Sequence, residues 1–89
     1  VAYQLAYLPG AVADLEELPA AVATRARRGL ERLAQNPRLG KRLKGPLAGL
    51  WSYRVGDYRV IYEIVERRLV VLVLMLGHRR AIYERARRG

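Results

Sequence analysis

Leu50-Trp51-Ser52-Tyr53-Arg54-Val55-Gly56-Asp57-Tyr58-Arg59-Val60-Ile61-Tyr62-Glu63-Ile64 decides the reading of this 89-residue chain. Aromatic and β-branched residues dominate on both sides of Gly56-Asp57, a two-residue loop whose glycine supplies the positive φ of a primed hairpin turn. Such a loop fixes a register. Val55 faces Tyr58, Arg54 faces Arg59, Tyr53 faces Val60, Ser52 faces Ile61 and Trp51 faces Tyr62. Side chains alternate between faces, so Trp51, Tyr53, Val55, Tyr58, Val60, Tyr62 and Ile64 share one face. That face is the natural wall for a helical layer. Ser52, Arg54, Arg59, Ile61 and Glu63 share the other, where Arg54 and Arg59 stand directly opposite each other. Like charges in that relation are unfavourable, and a locally unfavourable pair points to a functional cause such as a shared anion.

Working outward, Leu69–Leu76 is apolar on both faces and reads as a central strand entered through Glu66-Arg67-Arg68. Gly77 ends it. His78 to Arg88 reads either as a short helix with Ile82 inward or as an irregular arm. Toward the N-terminus, residues 2–7 suit a short strand, and Pro9 suits the first turn of a helix. Val12, Leu15 and Leu18 then recur on one helical face until Pro19 stops the helix. A second helix carries the stripe Val22, Ala26, Leu30, Leu33, with Gly29 placed for close packing, and ends at Asn36-Pro37. Residues 37–49 form a basic connection punctuated by Gly and Pro, with Lys41, Arg42 and Lys44 as either a solvated loop or a phosphate-contacting one. The expected fold is α+β: an antiparallel four-stranded sheet, an N-terminal helix hairpin on one face, and a short C-terminal helix or arm, in the order β-α-α-β-β-β-α. Residues 1–89 are expected to form a single domain.

Charge narrows the function classes. Seventeen Lys and Arg stand against eight Asp and Glu, and all the bases lie beyond residue 24. Such asymmetry suits a polyanionic partner: nucleic acid, the ribosome or an acidic protein. The chain lacks cysteine and has one histidine, His78, so no disulfide framework, zinc site or other all-protein metal set is expected. Residues 1–24 carry no Lys or Arg for a signal-peptide n-region, and the longest apolar run is too short to span a bilayer. A cytoplasmic protein without a membrane partner is expected.

There is no phosphate-cradling glycine loop, no acid pair suited to acid–base work and no Ser-His-Asp spacing. What is left is Arg54, Arg59, His78, Arg79, Arg80 and Tyr83. Arginine is suited to bidentate phosphate contact and to stabilising an anionic transition state. Such a set can bind RNA or promote attack of a 2′-hydroxyl on its neighbouring phosphate.

The run from Lys44-Gly45-Pro46 through Gly56-Asp57-Tyr58-Arg59-Val60-Ile61-Tyr62, followed by Gly77-His78-Arg79-Arg80-Ala81-Ile82-Tyr83, resembles the RelE/ParE superfamily of bacterial and archaeal toxins. The resemblance extends over nearly the whole chain and favours the RelE branch. It implies the toxin of a type II toxin–antitoxin system: a ribosome-dependent endoribonuclease that needs no cofactor and cleaves mRNA in the A site. A co-encoded RelB-like antitoxin would neutralise it in a hetero-oligomer. By the same resemblance Arg54 and Arg59 hold and polarise the scissile phosphate, and Arg79 stabilises the transition state. Tyr83 stacks on the substrate base and takes part in proton transfer, while Lys41, Lys44, Ser52, His78 and Arg80 are the expected further RNA contacts. Ser52 departs from the family pattern, in which a second basic residue is common. Two other readings stand beside this one: a ParE-like toxin that inhibits DNA gyrase by binding, and a catalytically weakened member that only binds antitoxin.

Overall fold

In the computed structural model, which describes residues 2–89, the chain runs β1 (Gln4–Tyr7), α1 (Pro9–Glu17), α2 (Ala20–Gln35), β2 (Lys41–Arg42), β3 (Trp51–Val55), β4 (Tyr58–Val65), β5 (Val70–His78), α3 (Ile82–Arg88). The hairpin pairs as the alternation requires, from Val55 opposite Tyr58 to Trp51 opposite Tyr62. Gly56 has φ 59°, and Asp57 is not in the left-handed region, the pattern of a II′ turn with glycine first.

The sheet order is β1-β5-β4-β3-β2. The double-sided apolar strand β5 therefore lies inside the sheet, between β1 and β4, where both faces need apolar side chains. The α+β class holds, with two differences from the expected sheet. A fifth strand exists, because Lys41 and Arg42 pair with Ser52 and Trp51 inside the stretch expected to be a connection. Two residues are too few for alternation to register. The sheet is also mixed, since β1 runs parallel to β5. Alternation reports which face a side chain takes and carries no information on strand direction.

The helical layer covers the aromatic face. Ala11, Ala26, Leu30 and Leu33 pack with Val55, Val60, Tyr62, Val71, Val73 and Leu76. In α1 the inward stripe is Ala11, Leu15 and Leu18, and Val12, expected inside, is 44% exposed. The small Ala11 lets α1 lie close to the sheet, which turns Val12 outward. Gly29 of α2 meets a strand and not the other helix: a Cβ there would lie 2.7 Å from the Tyr53 ring.

Tyr62 ties this core to the connection that follows α2. Its ring is fully buried. Its hydroxyl donates to the Pro37 carbonyl at 2.6 Å and accepts from the Gly40 N–H at 3.2 Å. Burial pushes its phenol up to about 12 from the usual 10, although the Gly40 N–H favours the phenolate.

The opposite face is covered more sparingly. The C-terminal segment is a helix, and its inward residue Ile82 is buried. Ile82 lies over Gly77, where a Cβ would come 2.9 Å from Ile82 Cδ1, so glycine in β5 lets α3 settle. Beyond Val73 the strand β1 has run out, and side chains take its place on β5. Asp14 Oδ2 accepts the Leu76 N–H at 3.0 Å, Arg85 Nη1 donates to the Leu76 carbonyl at 3.4 Å, and Arg85 Nη2 reaches Asp14 Oδ2 at 2.8 Å. At the other end of the sheet the Tyr3 hydroxyl and the Arg38 guanidinium both bond the Glu66 carboxyl, holding it below the usual carboxylate range.

Tyr62→Phe leaves a buried carbonyl and N–H without their partner, which costs about 1–3 kcal/mol of stability in urea unfolding. The raised folded-state pKa also fixes a pH window. The stability contributed by the protonated Tyr62 phenol is full below pH 10 and is lost as pH rises toward about 12, because the unfolded chain gives up this proton first. The Phe variant lacks that contribution to the decline.

Candidate functional site

The register gathers one set of polar side chains on the face away from the helical layer. Arg54 pairs with Arg59, and Lys41 pairs with Ser52, so all four point to that face. The two opposed arginines share an acceptor. Gly56 O accepts from Arg54 Nε at 3.3 Å and from Arg59 Nη1 at 3.1 Å, and the latter also reaches Tyr58 O at 3.0 Å. The partial negative charge of the turn carbonyl offsets the repulsion that the pairing creates. Each guanidinium carries five N–H donors in a planar fork, so the remaining donors are oriented but unspent.

Arg79 joins the same turn from the end of β5. Its N–H donates to Asp57 O at 2.8 Å, and its Nε lies 3.6 Å from Asp57 Oδ1. The structure thus brings Arg54, Arg59 and Arg79 around Gly56-Asp57. It does not bring His78 to their face. His78 pairs with Tyr58, so its side chain takes the helical-layer side, with the rings edge-on at 5.6 Å. His78 Nδ1 accepts the Arg80 N–H at 3.2 Å, an orienting contact within the chain's last turn before α3. Lys41, Lys44 and Arg80 are exposed, and their side chains make no ion pair among the described residues.

Tyr83 reaches the polar face from α3. Its hydroxyl lies 2.8 Å from Ser52 Oγ, and Ser52 is only 6% exposed. Ser52 is therefore an anchor beneath Tyr83, a role that its sequence position does not announce. Arg25 is a second unforeseen participant. Its guanidinium packs beside Gly56, with Nη1 3.0 Å from where a Cβ would stand. Its only sequence signal is the spacing Arg25, Arg28, Arg32 along α2, which resembles any solvated helical face.

Chemically, the face offers convergent guanidinium donors and one phenol in contact with a buried hydroxyl. Planar forks of this kind match the oxygens of a phosphodiester. Among the described residues no group of three His, Cys, Asp or Glu side chains can hold a metal ion, and no helix is long and apolar enough to cross a membrane.

Comparison with known proteins gives a consistent picture. A family profile described as the ParE toxin of type II toxin–antitoxin systems matches residues 5–83. Toxin RelG of Mycobacterium tuberculosis is 35% identical over 85 residues, which cover 93% of this chain and 98% of that protein. Toxin RelE of the same organism is 39% identical over 83 residues, covering 91% of this chain and 86% of that one. A chain in the crystal structure of the M. tuberculosis RelBE2 toxin–antitoxin complex superposes with a TM-score of 0.82. The two share 32% identity, over 88% of this chain and 92% of the other.

Ser52→Ala deletes the tie between β3 and Tyr83 and loosens α3 while leaving the rest of the sheet intact. Losing one such hydrogen bond costs about 1 kcal/mol, so amides of residues 82–88 should exchange roughly fivefold faster while those of β4 keep their protection.

Proposed function

The chain belongs to the ParE toxin family of type II toxin–antitoxin systems, within the RelE/ParE superfamily, and from this premise we propose a RelE-like, ribosome-dependent endoribonuclease. Its substrate in this reading is mRNA in the ribosomal A site, and its effect is to inhibit translation. The observation that carries the reading is the convergence of Arg54 and Arg59 on one side of the Gly56 carbonyl, with their unspent donors aimed away from the helical layer.

In the proposed reaction the 2′-hydroxyl oxygen attacks the adjacent phosphorus and the bond to the 5′-oxygen of the next nucleotide breaks. The hydroxyl proton is lost, the leaving oxygen gains one, and a 2′,3′-cyclic phosphate and a 5′-hydroxyl result. Arg54 and Arg59 hold the non-bridging oxygens, whose charge grows in the transition state, where fixed donors act most strongly. Arg79, held at the turn by Asp57, adds a third cation to the same phosphate. The Tyr83 ring stacks on the substrate base, and its hydroxyl takes part in proton transfer in contact with Ser52 Oγ. Lys41, Lys44 and Arg80 contact the RNA backbone, while His78 orients the start of the α3 segment. The partner is a RelB-like antitoxin, and the setting is cytoplasmic. The M. tuberculosis structure with which this chain superposes is itself a toxin–antitoxin complex.

A second reading draws on the ParE description of the matching profile: inhibition of DNA gyrase by binding alone. That activity has no evident use for the Arg59, Arg79 and Tyr83 set. Incubation with translating ribosomes, followed by mapping of mRNA 5′ ends, separates the two. Wild type should give A-site ends, and Arg59→Ala or Arg79→Ala should each lower the cleavage rate by about 100- to 1,000-fold. Intact mRNA together with blocked DNA supercoiling would replace the nuclease reading with the gyrase one.

A further inference from the structure

Lys41 and Arg42 are adjacent in β2 and so turn to opposite faces of the sheet. Lys41, opposite Ser52, joins the cationic face. Arg42, opposite Trp51, turns to the side of the helical layer, where its guanidinium lies over the Trp51 ring, 5.9 Å from the centroid. Trp51 thus stands in a row across three strands, between Arg42 and Tyr62, whose ring it stacks against at 6.2 Å. Tyr62 is fully buried, whereas Trp51 and Ile64 on the same face are only half-buried, and α2 has already ended at Gln35.

What results is an open pocket of about 530 Å³, within the roughly 300–1,000 Å³ of small-ligand sites. Leu50, Trp51 and Ile64 give it apolar surface, and Arg38, Arg42 and Glu66 give it polar groups. Glu66 is already bonded by Tyr3 and Arg38, whereas Arg42 takes part in no ion pair among the described residues. A half-exposed indole beside an unpaired guanidinium selects its ligand. Both present a face on which a planar π system stacks, and the guanidinium edge donates to phosphate oxygens. A carboxylate would answer the arginines and leave the indole bare, and an aliphatic side chain would do the reverse. A nucleotide answers both, and an aromatic platform flanked by cations is how single-stranded nucleic acid is held. The spacing agrees. Stacked planes lie about 3.4 Å apart, so a base between indole and guanidinium needs about 7 Å, and the exposed Arg42 side chain swings by only about 1 Å to admit one.

We propose that this pocket holds one unpaired nucleotide of an RNA strand, with the base stacked on Trp51 and the phosphate bonded by Arg42 and Arg38. It is a second nucleotide site, and it carries no chemistry. Trp51 and Val55 are the two ends of β3, roughly 13 Å apart, and the Gly56-Asp57 turn lies beyond Val55. The pocket also opens on the face of the sheet opposite to Arg54 and Arg59. The nucleotide held here is therefore not the one whose phosphate meets those arginines. It tethers RNA at a distance from them, whether or not the strand is cut, so the proposal goes beyond the nuclease reading and does not rest on it.

Trp51 is the chain's one tryptophan, so intrinsic fluorescence reports on this pocket directly. The test titrates the full chain with 2′-O-methyl hexa-adenylate, which has no 2′-hydroxyl to attack its phosphates, with the same backbone lacking bases, and with a hexaglutamate peptide. Hexa-adenylate should quench Trp51, and its affinity should fall as salt is raised. The abasic strand should leave the fluorescence unchanged. Arg42→Glu should weaken the quenching affinity about fivefold or more, and Trp51→Leu should weaken binding of an end-labelled strand, read by anisotropy, by a similar factor. Arg42 is exposed and outside the core, so its variant tests the site independently of how Trp51→Leu folds. In Arg54→Ala/Arg79→Ala the quenching should persist. Four results would overturn the proposal: no quenching by hexa-adenylate, equal quenching by the abasic strand, quenching undiminished in Arg42→Glu, or quenching abolished in Arg54→Ala/Arg79→Ala. Stronger quenching by hexaglutamate would also overturn it and make the pocket a peptide site. No arm depends on cleavage, so failure here and failure of the nuclease reading are told apart.

Discussion

The carbonyl of Gly56 is the point on which the cationic face depends. The II′ turn directs it so that Arg54 and Arg59, from opposite strands, donate to the same oxygen. Two guanidiniums that would otherwise splay apart are held side by side. The neighbouring Asp57 does the same for Arg79, through both its carbonyl and its carboxylate. A two-residue turn thus orders three cations that the sequence spreads over 26 positions, from 54 to 79. Exposed ion pairs contribute little to stability, so the Arg79–Asp57 contact is better understood as orientation than as cement.

Tyr83 depends on a different part of the molecule. Its helix is short and amounts to two turns, which would not persist alone in water. It is retained by three contacts of different kinds: Ile82 seated over Gly77, Arg85 on the Leu76 carbonyl and Asp14, and Tyr83 on Ser52. Ser52 suits its place because a hydroxyl is small enough to be buried and still bond the phenol. A longer basic side chain at that position would have to emerge where the Tyr83 hydroxyl now lies. Ser52 is therefore coupled to how the C-terminal helix docks.

Much of this was legible in advance, for reasons that differ by element. The β3–β4 register followed from Gly56-Asp57, because a two-residue loop admits one pairing and the strands are long enough to show alternation. The inward stripe of α2 was equally clear from Ala26 through Leu30 to Leu33, whereas at its start Ala23 is buried in place of the expected Val22. In α1 the pattern misled, because Ala11 and Val12 compete for the same place and apolarity alone ranks valine first. β2 was invisible, since two basic residues carry no period, and the parallel pairing of β1 was invisible because direction leaves no trace in alternation. Arg54, Arg59 and Arg79 could be singled out by their positions, but the contacts that orient them could not. A backbone carbonyl as shared acceptor belongs to no residue type. The same holds for Asp14, whose partners Leu76 and Arg85 are more than 60 residues away.

That carboxylate has a bearing on how copies of the protein behave toward one another. β1 stops short, and without Asp14 and Arg85 the outer edge of β5 would present a free N–H and C=O at Leu76, within the most apolar strand of the chain. An apolar strand with an open edge is a template for sheet growth between molecules. Here one acid and one base, contributed by helices at opposite ends of the sequence, occupy both groups. At Leu76 the sheet edge is capped without an additional strand, by two side chains whose sequence positions give no hint of it.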